Sequence, residues 1–493
     1  MGDPRSELPS AAPAAPPAAS RSRAAATMRP GGSVVHIAAI MVIGALTGLV
    51  AVAFRTALES ADGLRRELLG ALSERGAWLL IPLVAGAFLI GWLVGWMVQR
   101  IAPESGGSGI PRVEAIIARD RSMRWWRVLP VKFIGGVLAI GGGLSLGREG
   151  PTVQMGAAVA QAIGSLRALP AQGLHMAMAC GAGAGLAAAF NAPLGGIAFI
   201  LEEMRRTLDV RWLLAALLTS TLAVVVVALL LGDAPIFGGT HLLAVASVAE
   251  QVRGPDPAIA GPEGRAGRAA AAELVGHGIA TARSCLPALI VGMAGGVVGA
   301  AFNGALLAAC RRAARCPTRV RAMLPGFACV LAAIVALWLP EATGDGLSVA
   351  DRLLALGGAP AGFLAALAAV GMALTIISYA SGAPGGIFAP LLLLGCASGM
   401  LLGHAGGAME RFGAPSPALL GVLGMTAVFT ASVRAPLTGI VLVVEMTRNV
   451  AIALPLCVAA SAAYVVASML RSPPVYESLL ELELAKAEPP GCR

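Results

Sequence analysis

The stretch "APLGGIAFILEEM" (Ala192–Met204) returns near the end of the chain as "APLTGIVLVVEMT" (Ala435–Thr447). The register is ungapped: an offset of 243 residues takes Ala192 to Ala435 and Glu202 to Glu445. A second pair, "GREGPTVQMG" (Gly147–Gly156) and "GIFAPLLLLG" (Gly386–Gly395), shares the pattern G-x3-P-x4-G at an offset of 239. Two motif pairs in the same order, at nearly one offset, indicate an internal duplication. In an apolar chain that is the organisation of many secondary transporters, whose site lies where the repeats meet.

The chain is apolar enough for this to apply. Of its 493 residues 57% are hydrophobic and only 13% charged, against about 25% charged in soluble domains. Gly76–Gln99, Trp212–Gly232, Ser284–Cys310 and Val450–Leu470 are free of charge and long enough to cross a bilayer, which takes about 20 residues. The predicted fold class is an all-α polytopic membrane protein with two inverted-topology repeats and many tilted and broken helices. The net charge of +9 does not point to nucleic acid. The arginines cluster between apolar segments, as at Arg119, Arg121, Arg124 and Arg127, in the manner of the positive-inside bias. Eight scattered cysteines form no CxxC pair and five scattered histidines form no metal-binding spacing; the cysteines are read as small packing residues, and no metal or organic cofactor is expected.

Residues 1–33, rich in Ala, Pro, Ser and Arg, are predicted to be a disordered cytoplasmic tail. The first membrane repeat is placed at 34–233, a polar connector at 234–283 and the second repeat at 284–473. The segment 474–493 is expected to be a short C-terminal piece with no regulatory domain. Within the repeats, "FNAPLGG" and "SGAPGGIFAP" interrupt apolar runs. Non-helical backbone at membrane depth is tolerated where it is enclosed by protein or lines a watery cavity, so these breaks point to a transport site.

Three turns share one design: "GSGIP" (Gly107, Ser108, Gly109, Ile110, Pro111), "GREGP" (Gly147, Arg148, Glu149, Gly150, Pro151) and "GGIFAP" (Gly385, Gly386, Ile387, Phe388, Ala389, Pro390). Each ends in a proline before a helix-compatible run, and proline suits the first helical position because its missing N–H would be unpaired there. Each turn is thus a helix N-terminus, with free backbone N–H groups and the positive end of the dipole. Several such ends aimed at one point bind an anion, and partial charges can also release it.

These turns, with "RWWRVLPVKF", "FNAPLGGIAFILEEM", "RAPLTGI" and "PPVYESLL", resemble the CLC family of chloride channels and chloride/proton antiporters, and in particular its bacterial antiporter branch. The resemblance runs from about Val34 to Leu480. It implies that Ser108 and Tyr476 offer hydroxyls to a central anion, Ser108 from the cytoplasmic side, and that Ile387 and Phe388 offer backbone N–H groups. It implies that Glu149 is the external gate and Glu203 the internal proton-transfer acid. Ser108 suggests chloride as the anion, since nitrate-preferring relatives tend to carry proline at this position. A homodimer in a bacterial inner membrane, with a pathway in each subunit and the N-terminus cytoplasmic, is also implied.

The residues carry part of this independently. Intramembrane acids are functional by default. Glu202 is duplicated at Glu445, whereas Glu203 aligns with Met446, so Glu202 reads as architectural, capping or pairing, and Glu203 as specialised. At the N-terminus of a helix the dipole favours the carboxylate of Glu149 while burial favours its protonated form, which suits a group that must change state. Arg148 is expected to brace the loop. The resemblance has one departure: Arg112 and Ala118 stand where close bacterial relatives carry acids near the inner proton entrance, while Glu114 remains, so the resemblance leaves the proton route to Glu203 open. The expected function is exchange of chloride for protons; a passive chloride channel of the same family is the alternative. "GGSG" (Gly106–Gly109) and "GLSLG" (Gly143–Gly147) also fit serine-hydrolase patterns, but such chemistry needs a histidine base beside the serine, and His36, His175 and His404 carry no supporting motif.

Overall fold

The computed structural model describes residues 30–75, 80–118, 123–167, 169–205, 209–234, 236–237, 262–404 and 416–487. The first half contains helices α1 (Pro30–Arg75), α2 (Leu80–Arg100), α3 (Ile110–Ala118), α4 (Trp125–Gly141), α5 (Glu149–Leu166), α6 (Ala171–Phe190), α7 (Pro193–Phe199) and α8 (Val210–Leu231). The second contains α9 (Pro262–Ala314), α10 (Thr318–Ala336), α11 (Leu347–Ala355), α12 (Ala361–Ala380), α13 (Phe388–Gly403), α14 (Pro417–Val433), α15 (Pro436–Thr447), α16 (Ala453–Met469) and α17 (Val475–Ala487). Among the described residues, 8 segments are long and apolar enough to span a membrane, and the protein is an integral multi-pass membrane protein. Most of the expected tail, 1–29, lies outside the described residues. Its last four residues already belong to α1, where Pro30 takes a helix-opening position. Much of the connector also lies outside, but from Pro262 it is helical, in keeping with the high helix propensity of its alanine-rich run.

Helices sort by what they bury. α6 is enclosed along most of its length, whereas α2, α8 and α10 bury only about a third of theirs and present apolar side chains such as Ile81 and Leu229 outward, where lipid tails solvate them. The short helices α5, α13 and α14 are almost wholly buried. At 18, 16 and 17 residues they are shorter than the about 20 that a span usually takes, and protein surrounds them.

The duplication extends to packing. α5 crosses α6 where Gly156 faces Gly181, so that a Cβ on either would run into the other's backbone. In the second half α13 crosses α14 at Gly395 and Gly424 with the same close approach. These are the same positions of the repeat, offset by 239 and 243 residues. The break after the crossing is repeated too. α6 ends at Asn191 (φ 49°) and α14 at Arg434 (φ 72°), again 243 residues apart. In each case a left-handed residue stops the helix and a proline two residues later starts the next.

The duplicated acids join the halves. The Glu445 carboxylate accepts hydrogen bonds from Leu194 N–H (3.0 Å) and Gly195 N–H (2.6 Å) at the start of α7. The Glu202 carboxylate accepts from Leu437 N–H (3.1 Å), Thr438 N–H (2.7 Å) and the Thr438 hydroxyl (2.8 Å) at the start of α15. Each repeat thus caps a helix of the other, satisfying amides that a helix cannot satisfy itself. The architectural reading of Glu202 is the observed one. The acid pair itself is not on an α-turn: Ile200–Arg205 forms a π-helical turn, a feature that often marks functional segments.

Candidate functional site

The three glycine-rich turns meet. Gly385 N–H donates to the Gly107 carbonyl (3.1 Å), while Gly147 and Gly386 exchange both backbone hydrogen bonds (2.7 and 2.8 Å). These are isolated β-bridges, Gly107 with Pro384 and Gly147 with Gly386, and they lace the starts of α3, α5 and α13 into one cluster. Glycine is required for this. A Cβ on Gly150 would lie 2.8 Å from the Ser108 hydroxyl and 2.9 Å from the Gly386 Cα, and Gly107 and Gly109 hold φ of +65° and +86°.

The prolines sit slightly deeper than predicted. Pro111 is the second residue of α3, and Pro151 and Pro390 are the third of α5 and α13. They remain within the first turn, where no N–H has an intrahelical partner, so the proline still costs nothing. In "IFAP" this leaves Phe388 and Ala389 as the free donors ahead of Pro390.

Those donors hold Glu149. Its Oε1 accepts from Phe388 N–H (2.7 Å) and Ala389 N–H (3.2 Å). The side chain is fully buried, and its Oε2 has no hydrogen-bond partner among the described residues. Ile387, also fully buried, precedes these donors at the N-cap of α13. The Phe388 ring closes over the cluster, packed between Phe190 and Phe429 with centroids 5.4 and 4.2 Å away.

Ser108 and Tyr476 are buried beside this point. The Tyr476 hydroxyl makes no hydrogen bond of normal geometry among the described residues, with the Ser108 side chain as its neighbour. Tyr476 also lies within electrostatic reach of both Glu149 and Glu203. Glu203 is buried in the π-turn and is not part of the laced cluster. Ser108 Oγ meets Ile110 N–H at 3.5 Å, and among the described residues no histidine is a hydrogen-bond partner of it; His404 instead contacts the Ala359 carbonyl (2.8 Å).

Two further residues complete the geometry. Lys132, in the quoted "RWWRVLPVKF", is fully buried. Its ammonium donates to the carbonyls of Ser105 (3.0 Å) and Gly107 (2.6 Å), fixing the backbone that leads into Ser108. Tyr379 accepts from Ser108 N–H at 3.4 Å. A lysine within an apolar run was the available signal for the first; nothing in the sequence distinguished Tyr379. Arg148 is nearly buried, its Nε without a partner among the described residues. It lines a cavity of about 700 Å³ with Arg55, Glu59, Arg65 and Asp345. The loop there is tied down by Arg65, which donates to the Thr343 hydroxyl (2.8 Å).

Residues 90–468 match the family described as voltage gated chloride channel. The H(+)/Cl(−) exchange transporter ClcA of Vibrio cholerae serotype O1 (strain M66-2) is 38% identical over 458 residues, which are 90% of this chain and 88% of that protein. The protein of the same name from Salmonella paratyphi B is 35% identical over 460 residues, 91% of this chain and 88% of its own. Among solved structures, a slow cyanobacterial Cl−/H+ antiporter superposes with a TM-score of 0.77 at 30% identity, covering 93% of this chain and 99% of that one. A CLC-type fluoride/proton antiporter, at 21% identity and a TM-score of 0.69, shares the fold.

Proposed function

This chain belongs to the voltage gated chloride channel family, and we propose that it is a secondary active transporter exchanging chloride for protons across a membrane. The observation that carries the reading is the Glu149 carboxylate on the N-terminus of α13, where its Oε1 takes the N–H groups of Phe388 and Ala389. As a carboxylate it occupies the place of an anion and closes the pathway. Once protonated it loses the charge that holds it there, and a chloride ion takes over the same donors. One group therefore carries the proton and excludes the anion, which ties the two movements together.

In this reading Ser108 and Tyr476 bind the central chloride through their hydroxyls, with Ile387 and Phe388 donating from the backbone. The glycines and prolines of the three turns bring the helix ends close enough to act together. Arg148 braces the outer loop. Glu203 receives protons on the side opposite the cavity that Arg148 lines, and Tyr476 lies within electrostatic reach of both acids. The two halves, 34–233 and 284–473, are repeats joined by the 234–283 connector, and the reciprocal caps of Glu202 and Glu445 support that division. The protein works as a homodimer in a bacterial inner membrane, with its N-terminus in the cytoplasm.

The test is Glu203→Gln in reconstituted liposomes. Chloride flux persists and proton movement stops; intact proton movement in this variant overturns the assignment of Glu203.

A further inference from the structure

The two hydroxyls beside the anion pathway are carried by separate elements. Ser108 precedes α3, and Tyr476 is the second residue of α17. These helices pack against each other, and an ion pair joins them: Arg112 Nη2 lies 3.1 Å from Glu483 Oε2. Glu483 follows Tyr476 by seven residues, nearly two full turns. It therefore shares Tyr476's face of α17, about 10 Å further along the axis. Both side chains are partly buried, 27% and 28% exposed, so water screens the pair less than it screens one on an open surface.

The surroundings distinguish a fixed wall from a movable one. The turn ahead of α3 is pinned by Lys132 through the carbonyls of Ser105 and Gly107. α17 is held at its start, where Asn303 donates to the carbonyls of Ser432 (2.9 Å) and Pro473 (3.0 Å). Its lead-in bends at Arg471, with φ of 52°, and passes through Pro473 and Pro474. Beyond that anchored start, the Arg112–Glu483 ion pair ties α17 to α3.

We propose that the Arg112–Glu483 ion pair is a latch: it holds α17 against α3 and thereby sets how often the gap between Ser108 and Tyr476 opens to chloride. The two are positioning residues, acting through the helices that carry the hydroxyls. The proposal rests on the exchange reading for its setting, but its readout is chloride movement alone.

The experiment measures chloride efflux from liposomes carrying the wild type, Arg112→Glu, Glu483→Arg, the milder Arg112→Gln and Glu483→Gln, and the charge-swapped double variant Arg112→Glu/Glu483→Arg. Each single change raises chloride turnover roughly three- to tenfold, the range a partly buried ion pair's coupling gives. The double variant, with the pair restored in reverse, returns to within about twofold of wild type. A merely structural pair gives slower turnover and a less stable protein instead. Unchanged or reduced turnover in the singles, or a double variant as fast as they are, overturns the latch. If the charge reversals fail to fold, the glutamine variants decide by the same criterion. A wild type that passes chloride without moving protons refutes the exchange reading and leaves the latch to be judged on efflux.

Discussion

Glu202→Ala separates architecture from proton transfer in adjacent acids. The carboxylate receives three hydrogen bonds, from Leu437 N–H, Thr438 N–H and the Thr438 hydroxyl. Leu437 is half exposed, so water can satisfy its amide once the carboxylate is gone. Thr438 is fully buried, and both its donors are left without an acceptor. Each buried orphan costs about 1–3 kcal/mol, so the variant loses on the order of 2–5 kcal/mol, allowing for partial relaxation. Glu445→Ala strands one buried donor, Gly195 N–H, since Leu194 is exposed; it loses about 1–3 kcal/mol. Equilibrium unfolding in detergent or bicelles should therefore rank the wild type above Glu445→Ala and Glu445→Ala above Glu202→Ala. Both variants should keep the wild-type ratio of protons to chloride in liposomes. A Glu202→Ala protein of undiminished stability that has lost proton coupling would refute the capping argument and put Glu202 in the proton path.

Three other outcomes follow from the geometry. Gly181→Ala drives a methyl group into the Gly156 carbonyl at the α5–α6 crossing, and overpacking of this kind costs about 1–3 kcal/mol; Gly424→Ala should match it at the equivalent α13–α14 crossing, as measured by unfolding. Lys132→Met takes away the side-chain donor of the Ser105 carbonyl and leaves the Gly107 carbonyl with Gly385 N–H; this loosens the turn that carries Ser108, so chloride affinity measured by calorimetry falls roughly tenfold, a loss of about 1.4 kcal/mol. Glu149→Gln removes the charge that competes with chloride, so chloride moves freely and protons no longer follow; proton pumping retained by this variant would count against the gate.

Much of this molecule was legible because it is written twice. The 243-residue offset that aligned Glu202 with Glu445 also aligned the two left-handed breaks, and it separated Glu203 from its neighbour before any contact was seen. The spans were legible from their freedom from charge: Trp212–Gly232 and Ser284–Cys310 come within a few residues of the observed segments Val210–Leu231 and Cys285–Ala314. Glu149 stood out as a charge in an apolar run, and its position on a helix start followed from the glycines and proline around it. What stayed hidden depends on the third dimension. Nothing in "GREGP" or "GGIFAP" says that Gly147 and Gly386 hydrogen-bond to each other, or that Glu149 caps α13. The offset showed that Glu202 and Glu445 were equivalent, but not that each would reach across to the other repeat. Lys132 could be noticed as a buried cation, yet its acceptors are carbonyls, which leave no trace in a side-chain pattern. Arg112 was legible as a departure from the family pattern; its partner, 371 residues away at Glu483, was not.

The central claim is that one carboxylate, by alternating with chloride at the start of α13, couples the two ions. It is tested most directly by purified wild-type protein in liposomes with a chloride gradient and no proton gradient at the outset. The account predicts that chloride running down its gradient drives protons in the opposite direction, building a pH difference that collapses when a protonophore is added. Chloride flux that runs to completion with no accompanying proton movement would contradict it.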